Sequence, residues 1–123
     1  MTETDAVDQI DALQAEVLKT LASPRRLQIV HLLADGPSDV GRVAEELGIS
    51  QPNASQHLAV MRAAGIVESE RVGRGVVYRL VDPDVVQACA IMRGVLLRRL
   101  SRLSKLSDRA AAIANGSPET NMA

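Results

Sequence analysis

The sequence predicts a mainly α-helical domain with one small β-hairpin, in the α+β class. Apolar residues recur at helical spacing along most of the chain. The segment 66–81 differs, because it is rich in β-branched residues on both sides of Gly73-Arg74-Gly75, a pattern typical of a hairpin with a basic tip. The 123 residues include no Phe, no Trp and one Tyr, so we expect a core of aliphatic side chains.

Three helices are predicted in the N-terminal half. The first runs over about residues 5–21 and carries acidic residues opposite its apolar face. Ser23-Pro24 is a strong start signal for the second helix, since serine caps free amides and a proline in the first turn sacrifices no hydrogen bond. Asp35-Gly36-Pro37 ends that helix, and a short third helix ends at Gly48.

The C-terminal half is predicted to contain a helix, the hairpin and a long helix. Ser50 caps the fourth helix, over about residues 50–64, and Pro52 is tolerated there because first-turn amides have no acceptor within the helix. The hairpin, or wing, covers residues 66–81. Asp82-Pro83 then starts the long helix.

These elements divide the chain into four predicted parts: an N-terminal helix (1–22), a central core (23–81), a C-terminal helix (82–115) and a disordered tail (116–123). Within the core, two short helices are joined by the tight Gly48-Ile49 turn and are followed by the basic hairpin. This order describes a winged helix-turn-helix, an architecture that places its second short helix in the major groove of DNA.

Composition excludes several classes of protein. The net charge is −1, but residues 1–20 are acidic and residues 93–109 are basic. The distribution of charge along the chain is therefore more informative about binding partners than the net charge. The single cysteine excludes an internal disulfide framework and suits a reducing cytosol, and neither a signal peptide nor a membrane-spanning run is visible. We therefore expect a cytoplasmic protein. The chain has no nucleophile elbow, phosphate-cradling glycine loop or metal-ligand spacing, so we do not expect an enzyme.

The fourth helix has the side chains that base recognition requires. Its inner face takes Ala54, Leu58 and Met61, which leaves a set of small polar residues outside, predicted to contact bases: Gln51, Asn53, Ser55, Gln56 and His57. Asn and Gln can pair bidentately with adenine, and small side chains let a helix enter the major groove. Phosphate contacts are predicted from a further set: Ser50, Arg42, Arg62, Arg71 and Arg74. The predicted partner is double-stranded DNA.

Two other interpretations of this helix stay open. Any capped surface helix displays polar residues, so an isolated helix of this kind would indicate little. A winged helix that binds only proteins is the second alternative, and the net charge of −1 is compatible with it. The combination of exposed amides with Arg74 favours DNA, because an interaction-only domain needs no such combination. Single-stranded nucleic acid is disfavoured, since a stacking platform needs aromatic residues and only Tyr78 is present.

Two long segments, LASPRRLQIVHLL and VAEELGISQPNASQHLAVMRAAGIVESERVGRGVVYRL, together with the helix after DPD, resemble the ArsR/SmtB family of bacterial transcriptional repressors. The resemblance covers about residues 18–106, and SQHLAVMRAAGIV with GRGVVYRL is its most specific part. It implies a homodimeric repressor whose affinity for an inverted-repeat operator is lowered by an effector. The family's base-contacting positions fall on Gln51, Ser55 and Gln56.

The resemblance also implies that the first and last helices form the dimer contact. The sequence favours this independently, because so small a core cannot cover the apolar stripes of both terminal helices, and an exposed stripe normally marks a partner surface. The residues predicted at the dimer interface are Ile10, Leu13, Val17, Cys89, Met92, Leu96, Leu100 and Leu103.

The residues do not identify the effector. Many relatives sense metals through cysteines on the third helix or through His and acidic residues on the last one, and neither set is present in this sequence. His31 and His57 lie on different helices; His31 is better explained as a core or surface residue, and His57 as a DNA-side or packing residue. No cofactor is evident, although an unusual metal response stays open. Cys89 is either a small residue of the apolar stripe or a thiol that reacts with an oxidant, an electrophile or a second Cys89.

Overall fold

The computed structural model describes residues 2–116, and these residues form five helices and three strands. In chain order the elements are α1 Glu3–Leu21, α2 Pro24–Leu33, β1 Ser38–Asp39, α3 Val40–Leu47, α4 Gln51–Ala63, β2 Val67–Val72, β3 Gly75–Leu80 and α5 Asp84–Ala114. The predicted α+β class, the winged helix-turn-helix and the order of helices and hairpin are confirmed. Apart from Gly116, the segment predicted as a disordered tail lies outside the described residues.

Polar side chains fix the N-termini of the first four helices. Each accepts a backbone N–H of the first turn: Thr2 Oγ1 from Asp5 (3.1 Å), Ser23 Oγ from Arg26 (3.4 Å), Asp39 Oδ1 from Arg42 (2.8 Å) and Ser50 Oγ from Asn53 (3.2 Å). The Thr2 N–H also donates to Asp5 Oδ2 (3.1 Å), which completes a capping box. For this reason α1 begins at Glu3, slightly before its predicted start.

The three strands form one antiparallel sheet in the order β1-β3-β2. In the hairpin Val72 is opposite Gly75, so the turn consists of Gly73 and Arg74. Gly73 has a φ of 60°, a left-handed conformation that glycine adopts without steric cost. The sequence pattern does not predict β1, because two residues are too few to show the alternation of a strand.

The core is aliphatic, as predicted, and is built mainly from α2, α3, α4 and β2. Its buried members are Leu21, Ile29, Val30, Leu33, Val43, Ala44, Ala54, Leu58, Met61, Ile66 and Val67. The predicted inner face of α4 is therefore confirmed. Ser38 is buried as well, and its Oγ donates to the Asp39 carbonyl oxygen (3.2 Å), so its burial does not leave the hydroxyl unsatisfied.

The chain divides into two compact units, residues 1–86 and residues 87–123. The first unit contains α1 to β3, and most of α5 lies in the second. No side chain of α5 is buried, although the helix is 31 residues long and many of its residues are apolar. None of the helices between residues 2 and 116 is long and apolar enough to cross a membrane.

Candidate nucleic-acid interface

A tight turn joins α3 to α4. Gly48 ends α3 with a φ of 66°, a conformation in which most side chains would be strained. The Ile49 N–H donates to the Ala44 carbonyl (3.0 Å), and the Gly48 N–H donates to the Glu45 carbonyl (3.2 Å). These bonds satisfy carbonyl groups at the end of α3, and Ser50 caps the next helix at once. The direction of α4 after α3 is thus fixed by backbone bonds, as a helix-turn-helix requires.

Four of the five residues predicted to contact bases occupy the exposed side of α4. Gln51, Asn53, Ser55 and Gln56 are exposed, whereas the buried residues of the helix point into the core. Gln51 and Ser55 are one helical turn apart, and so are Asn53 and Gln56. The structure therefore brings four of the five predicted residues together at the N-terminal half of one helix.

Gly41 of α3 lies against the first of these residues. A Cβ built on Gly41 would be 3.2 Å from Gln51 Nε2 and 3.3 Å from Asp39 Oδ1, which is tighter than ordinary van der Waals contact. A residue with a Cβ at this position would require the Gln51 amide and the Asp39 carboxylate to shift by a few tenths of an ångström. Gly41 is not among the residues predicted from the sequence, although a glycine inside a short helix, where it lowers helix propensity, is a signal for a close contact.

His57, the fifth predicted base contact, is placed differently. It is half-buried, and its Nδ1 accepts a hydrogen bond from Arg26 Nε of α2 (3.3 Å). Burial lowers the pKa of His57 below its usual 6.5, and the positive charges of Arg26 and Arg25 lower it further. The imidazole is therefore held neutral. It faces α2, whereas the amide side chains of α4 are exposed to solvent. This contact argues against its predicted role as a base reader.

Arg25 and Arg26 connect α2 to its neighbours, and neither is among the site residues predicted from the sequence. Arg25 Nη1 donates to the Leu47 carbonyl at the end of α3 (3.1 Å) and to Gln28 Oε1 (3.2 Å). Arg26 donates to His57 and, through Nη1, to the Thr20 carbonyl near the end of α1 (3.0 Å). Both cations therefore satisfy carbonyl groups that have no partner within their own helix. Neighbouring arginines just after a Ser-Pro cap were the available signal.

The cations predicted to contact phosphates are exposed. Arg42 is on α3, Arg62 on α4, and Arg71 and Arg74 are on the hairpin. Ser50 is exposed too, and because its Oγ accepts the Asn53 N–H, its own hydroxyl hydrogen stays available to a phosphate oxygen.

Arg79 is a further cation of the hairpin, but its charge is paired. Its Nε lies 2.7 Å from Glu68 Oε1, and its Nη1 binds Glu70. Hydrogen bonds to these two carboxylates raise the pKa of Arg79 further. On the hairpin, positive charge is consequently concentrated at the tip, on Arg71 and Arg74.

Comparisons with known proteins identify the family. Residues 23–69 match the model of the bacterial regulatory protein, arsR family. An uncharacterized HTH-type transcriptional regulator of Mycobacterium tuberculosis is 40% identical over 98 residues, which cover 78% of this chain and 86% of that regulator. The chain belongs to the arsR family of bacterial regulatory proteins.

Solved structures agree with this assignment. One is the solution structure of a homodimeric winged helix-turn-helix DNA-binding domain from Mycobacterium bovis, with 32% identity, a TM-score of 0.72, and coverage of 83% of this chain and 93% of that one. Another is the crystal structure of the transcriptional repressor BigR from Xylella fastidiosa, with 36% identity, a TM-score of 0.64, and coverage of 77% and 96%. The arsR-family chain is a DNA-binding transcriptional regulator with a winged helix-turn-helix.

The terminal helices of this arsR-family chain expose the side chains predicted at a dimer interface. On α1, Ile10 and Leu13 are exposed and Val17 is half-buried. On α5, the exposed members of the predicted set are Met92, Leu96, Leu100 and Leu103, while Cys89 is a half-buried free thiol. Each helix thus carries an apolar stripe that the single chain leaves accessible.

The described part of this arsR-family chain contains no group of three or more His, Cys, Asp or Glu side chains placed to hold a metal ion. His31 is half-buried on α2 and has an interaction partner of its own. The effector is therefore not identified by the described residues, and Cys89, the single cysteine of the sequence, stays a candidate thiol sensor.

Proposed function

We propose that this chain represses transcription in the bacterial cytoplasm by binding, as a homodimer, to an inverted-repeat operator in double-stranded DNA. The observation that carries this proposal is the exposed polar surface of α4, formed by Gln51, Asn53, Ser55 and Gln56, in the same compact unit as a hairpin with a basic tip. In a winged helix-turn-helix such a helix enters the major groove.

Base recognition falls to the short amides and the hydroxyl of α4. Gln51, Asn53 and Gln56 each offer a donor and an acceptor in one plane, which matches the N6 and N7 edge of adenine. The Ser55 hydroxyl donates or accepts. Each well-placed bidentate contact contributes roughly 1–3 kcal/mol of discrimination against a wrong base pair. Gly41 supports this surface, because its missing side chain leaves room for Gln51.

Affinity comes from the exposed cations. Arg42, Arg62, Arg71 and Arg74 neutralise phosphates and release counterions, so binding weakens as salt rises, with a slope that grows with the number of phosphates contacted. Ser50 adds a neutral donor at the N-terminus of α4, where the helix dipole also favours an anion. The net charge of −1 does not oppose this, because Arg62 lies on α4 itself and Arg71 and Arg74 lie on the hairpin.

Dimerisation would double the readout. The exposed apolar stripe of α1 and that of α5 supply surfaces that a second copy would bury. Two-fold symmetry then places two α4 helices in successive major grooves, about 34 to 36 Å apart, which requires half-sites in inverted orientation. The homodimeric state of the similar M. bovis domain supports this arrangement.

The test is a fluorescence-anisotropy titration of the chain against duplex DNA from upstream of its own gene, with an unrelated duplex as competitor. Gln56→Ala should weaken specific binding about tenfold and relax base preference, because one bidentate contact is lost. Arg74→Ala should weaken binding to every sequence and reduce the salt slope by about one.

The matched controls are Gln87→Ala and Arg102→Ala, which remove the same groups from exposed positions on α5. Both control variants should bind the operator as the wild type does. If Gln56→Ala and Arg74→Ala also bind as the wild type does, the proposed readout is wrong. A wild-type chain that binds no duplex specifically would instead favour a protein-interaction role.

A further inference from the structure

Arg26 bridges three helices through one guanidinium group. Its Nη1 donates to the Thr20 carbonyl in the last turn of α1 (3.0 Å), and its Nε donates to His57 Nδ1 on α4 (3.3 Å). The guanidinium is a planar, rigid fork, so the two acceptors are held in a fixed relation to each other. Arg26 itself is anchored in the first turn of α2, where its N–H donates to Ser23 Oγ (3.4 Å).

This contact is directional in a way that the core packing of α4 is not. Ala54, Leu58 and Met61 hold α4 against the core by apolar contact, which tolerates small rotations of a helix about its axis. His57 follows Gln56 directly in the helix. A hydrogen bond that stops α4 from rotating about its axis at His57 therefore also fixes the direction in which the Gln56 side chain leaves the helix. The hydrogen bond to Arg26 therefore sets the orientation of the exposed face.

The bond requires one protonation state of His57. An imidazole nitrogen accepts a hydrogen bond only when it carries no proton, so Nδ1 must be bare and the ring neutral. The lowered pKa of His57, caused by burial and by Arg26 and Arg25, keeps it so at neutral pH.

Three elements pack against α4, namely α2, α3 and β2, and only α2 places charges against His57. The two cations that act on the imidazole are both on α2, whereas α3 and β2 carry their charged groups at exposed positions: Arg42, Glu45, Glu46, Glu68, Glu70 and Arg71. Protonation of His57 would therefore put an imidazolium beside the Arg26 guanidinium, where repulsion replaces the hydrogen bond.

We propose that Arg26 is a positioning residue for the recognition helix: it fixes His57 of α4 to the end of α1, and this contact holds the base-reading face in its DNA-competent orientation. The inference rests on the proposed DNA-binding function of α4. Because α1 is also a proposed dimer helix, the arrangement of the dimer is linked through Arg26 to the surface that reads DNA.

Two pairs of variants test the contact in the full-length chain. Arg26→Gln and His57→Leu each remove one partner, and each should weaken operator binding about tenfold, as expected for the loss of a hydrogen bond to a charged group. His57→Asn keeps an acceptor where Nδ1 lies and cannot be protonated, so it should retain affinity. Lys19→Gln is the charge-matched control, because it removes one exposed cation from the last turn of α1.

The pH profile separates positioning from mere stability. As the pH falls below 6.5 and through the lowered pKa of His57, the wild type should lose operator affinity, while His57→Asn should not. Circular dichroism confirms at each pH that the proteins compared are folded. If Arg26→Gln binds DNA as well as Lys19→Gln does, or if acidification strengthens wild-type binding as a DNA-side cation would, the proposal is overturned.

Hydrogen exchange without DNA keeps the two proposals distinct. Arg26→Gln should increase amide exchange in α4 relative to Lys19→Gln, because α4 has lost a tether. Unchanged exchange would refute the positioning role whatever the DNA titration shows. If exchange increases in Arg26→Gln but the wild type binds no duplex, the contact between Arg26 and His57 is supported and only the proposed DNA-binding function is refuted.

Discussion

The two compact units differ in how far their apolar side chains are exposed to solvent. In the first unit Leu58 is 0% exposed, and α2, α3 and α4 bury their aliphatic faces against one another; on α5, Leu100 is 60% exposed and none of the side chains is buried. Burying such a side chain contributes roughly 1.5–3 kcal/mol, so the first unit is stabilised within one chain, whereas α5 gains this only against another surface. Apolar side chains thus build a core in the first unit, whereas those of α5 stay accessible to another surface.

The largest effect is expected from damage to the core of the first unit. Leu58→Ala should lower the free energy of unfolding by about 2–5 kcal/mol, because it removes buried methyl groups and leaves a cavity. Urea unfolding followed by circular dichroism measures this. Val60→Ala on the same helix, at a position 37% exposed, should change stability far less. Similar losses for the two variants would contradict the division of α4 into a buried and an exposed face.

A charge introduced on α5 should weaken dimerisation without destabilising the first unit. Leu100→Glu should leave the first unit folded, yet it should raise the dimer dissociation constant about 100-fold, because a carboxylate would be buried in an apolar interface. Sedimentation equilibrium measures the dissociation constant. Ser101→Glu puts the same charge on the neighbouring exposed residue and should have little effect. If both variants dissociate equally, the α5 stripe is not the dimer surface.

The same contrast explains which parts of the fold the sequence predicts. Helix starts were predictable because Ser23 and Ser50 precede a proline in the first turn, and the turn at Gly48 has a recognisable glycine. These signals are local. The inner face of α4 was predictable as well, since Ala54, Leu58 and Met61 follow helical periodicity.

Contacts between distant residues were less predictable. Residues 26 and 57 are 31 positions apart, and no local pattern tells that the Arg26 side chain meets the imidazole instead of solvent. His57 therefore looked like another member of the polar face. The pairing of Arg79 with Glu68 depends on strand register, which sets opposite residues only once the hairpin turn is known. The position of a charged residue in the sequence is consequently a weaker guide to its role than the residues with which it pairs in the fold.

Loss of a cap should have a smaller effect than loss of core or interface. Ser50→Ala removes the acceptor for the Asn53 N–H and should cost about 1 kcal/mol of stability. Urea unfolding measures it, with Ser55→Ala as the control, since Ser55 is exposed on the same helix beyond the capping position. Equal stability of the two variants would mean that the Ser50 hydroxyl contributes no cap. The comparison also shows whether the first turn of α4 is held by the cap or by the core.

The smallest effect is expected at the exposed start of α1, where only local bonds act. Hydrogen bonds from the Thr2 N–H and hydroxyl lower the pKa of Asp5 below its ordinary 3.8. The folded state therefore favours the carboxylate, so the contribution of this cap is present above pH 3.8 and is lost as the pH falls through the lowered pKa. NMR titration of the Asp5 carboxyl carbon should give a pKa below 3.8 in the wild type and a higher pKa in Thr2→Val, which loses the hydroxyl. A pKa that does not change in Thr2→Val would show that the Thr2 hydroxyl does not stabilise the carboxylate, and that only the backbone N–H bond acts on it.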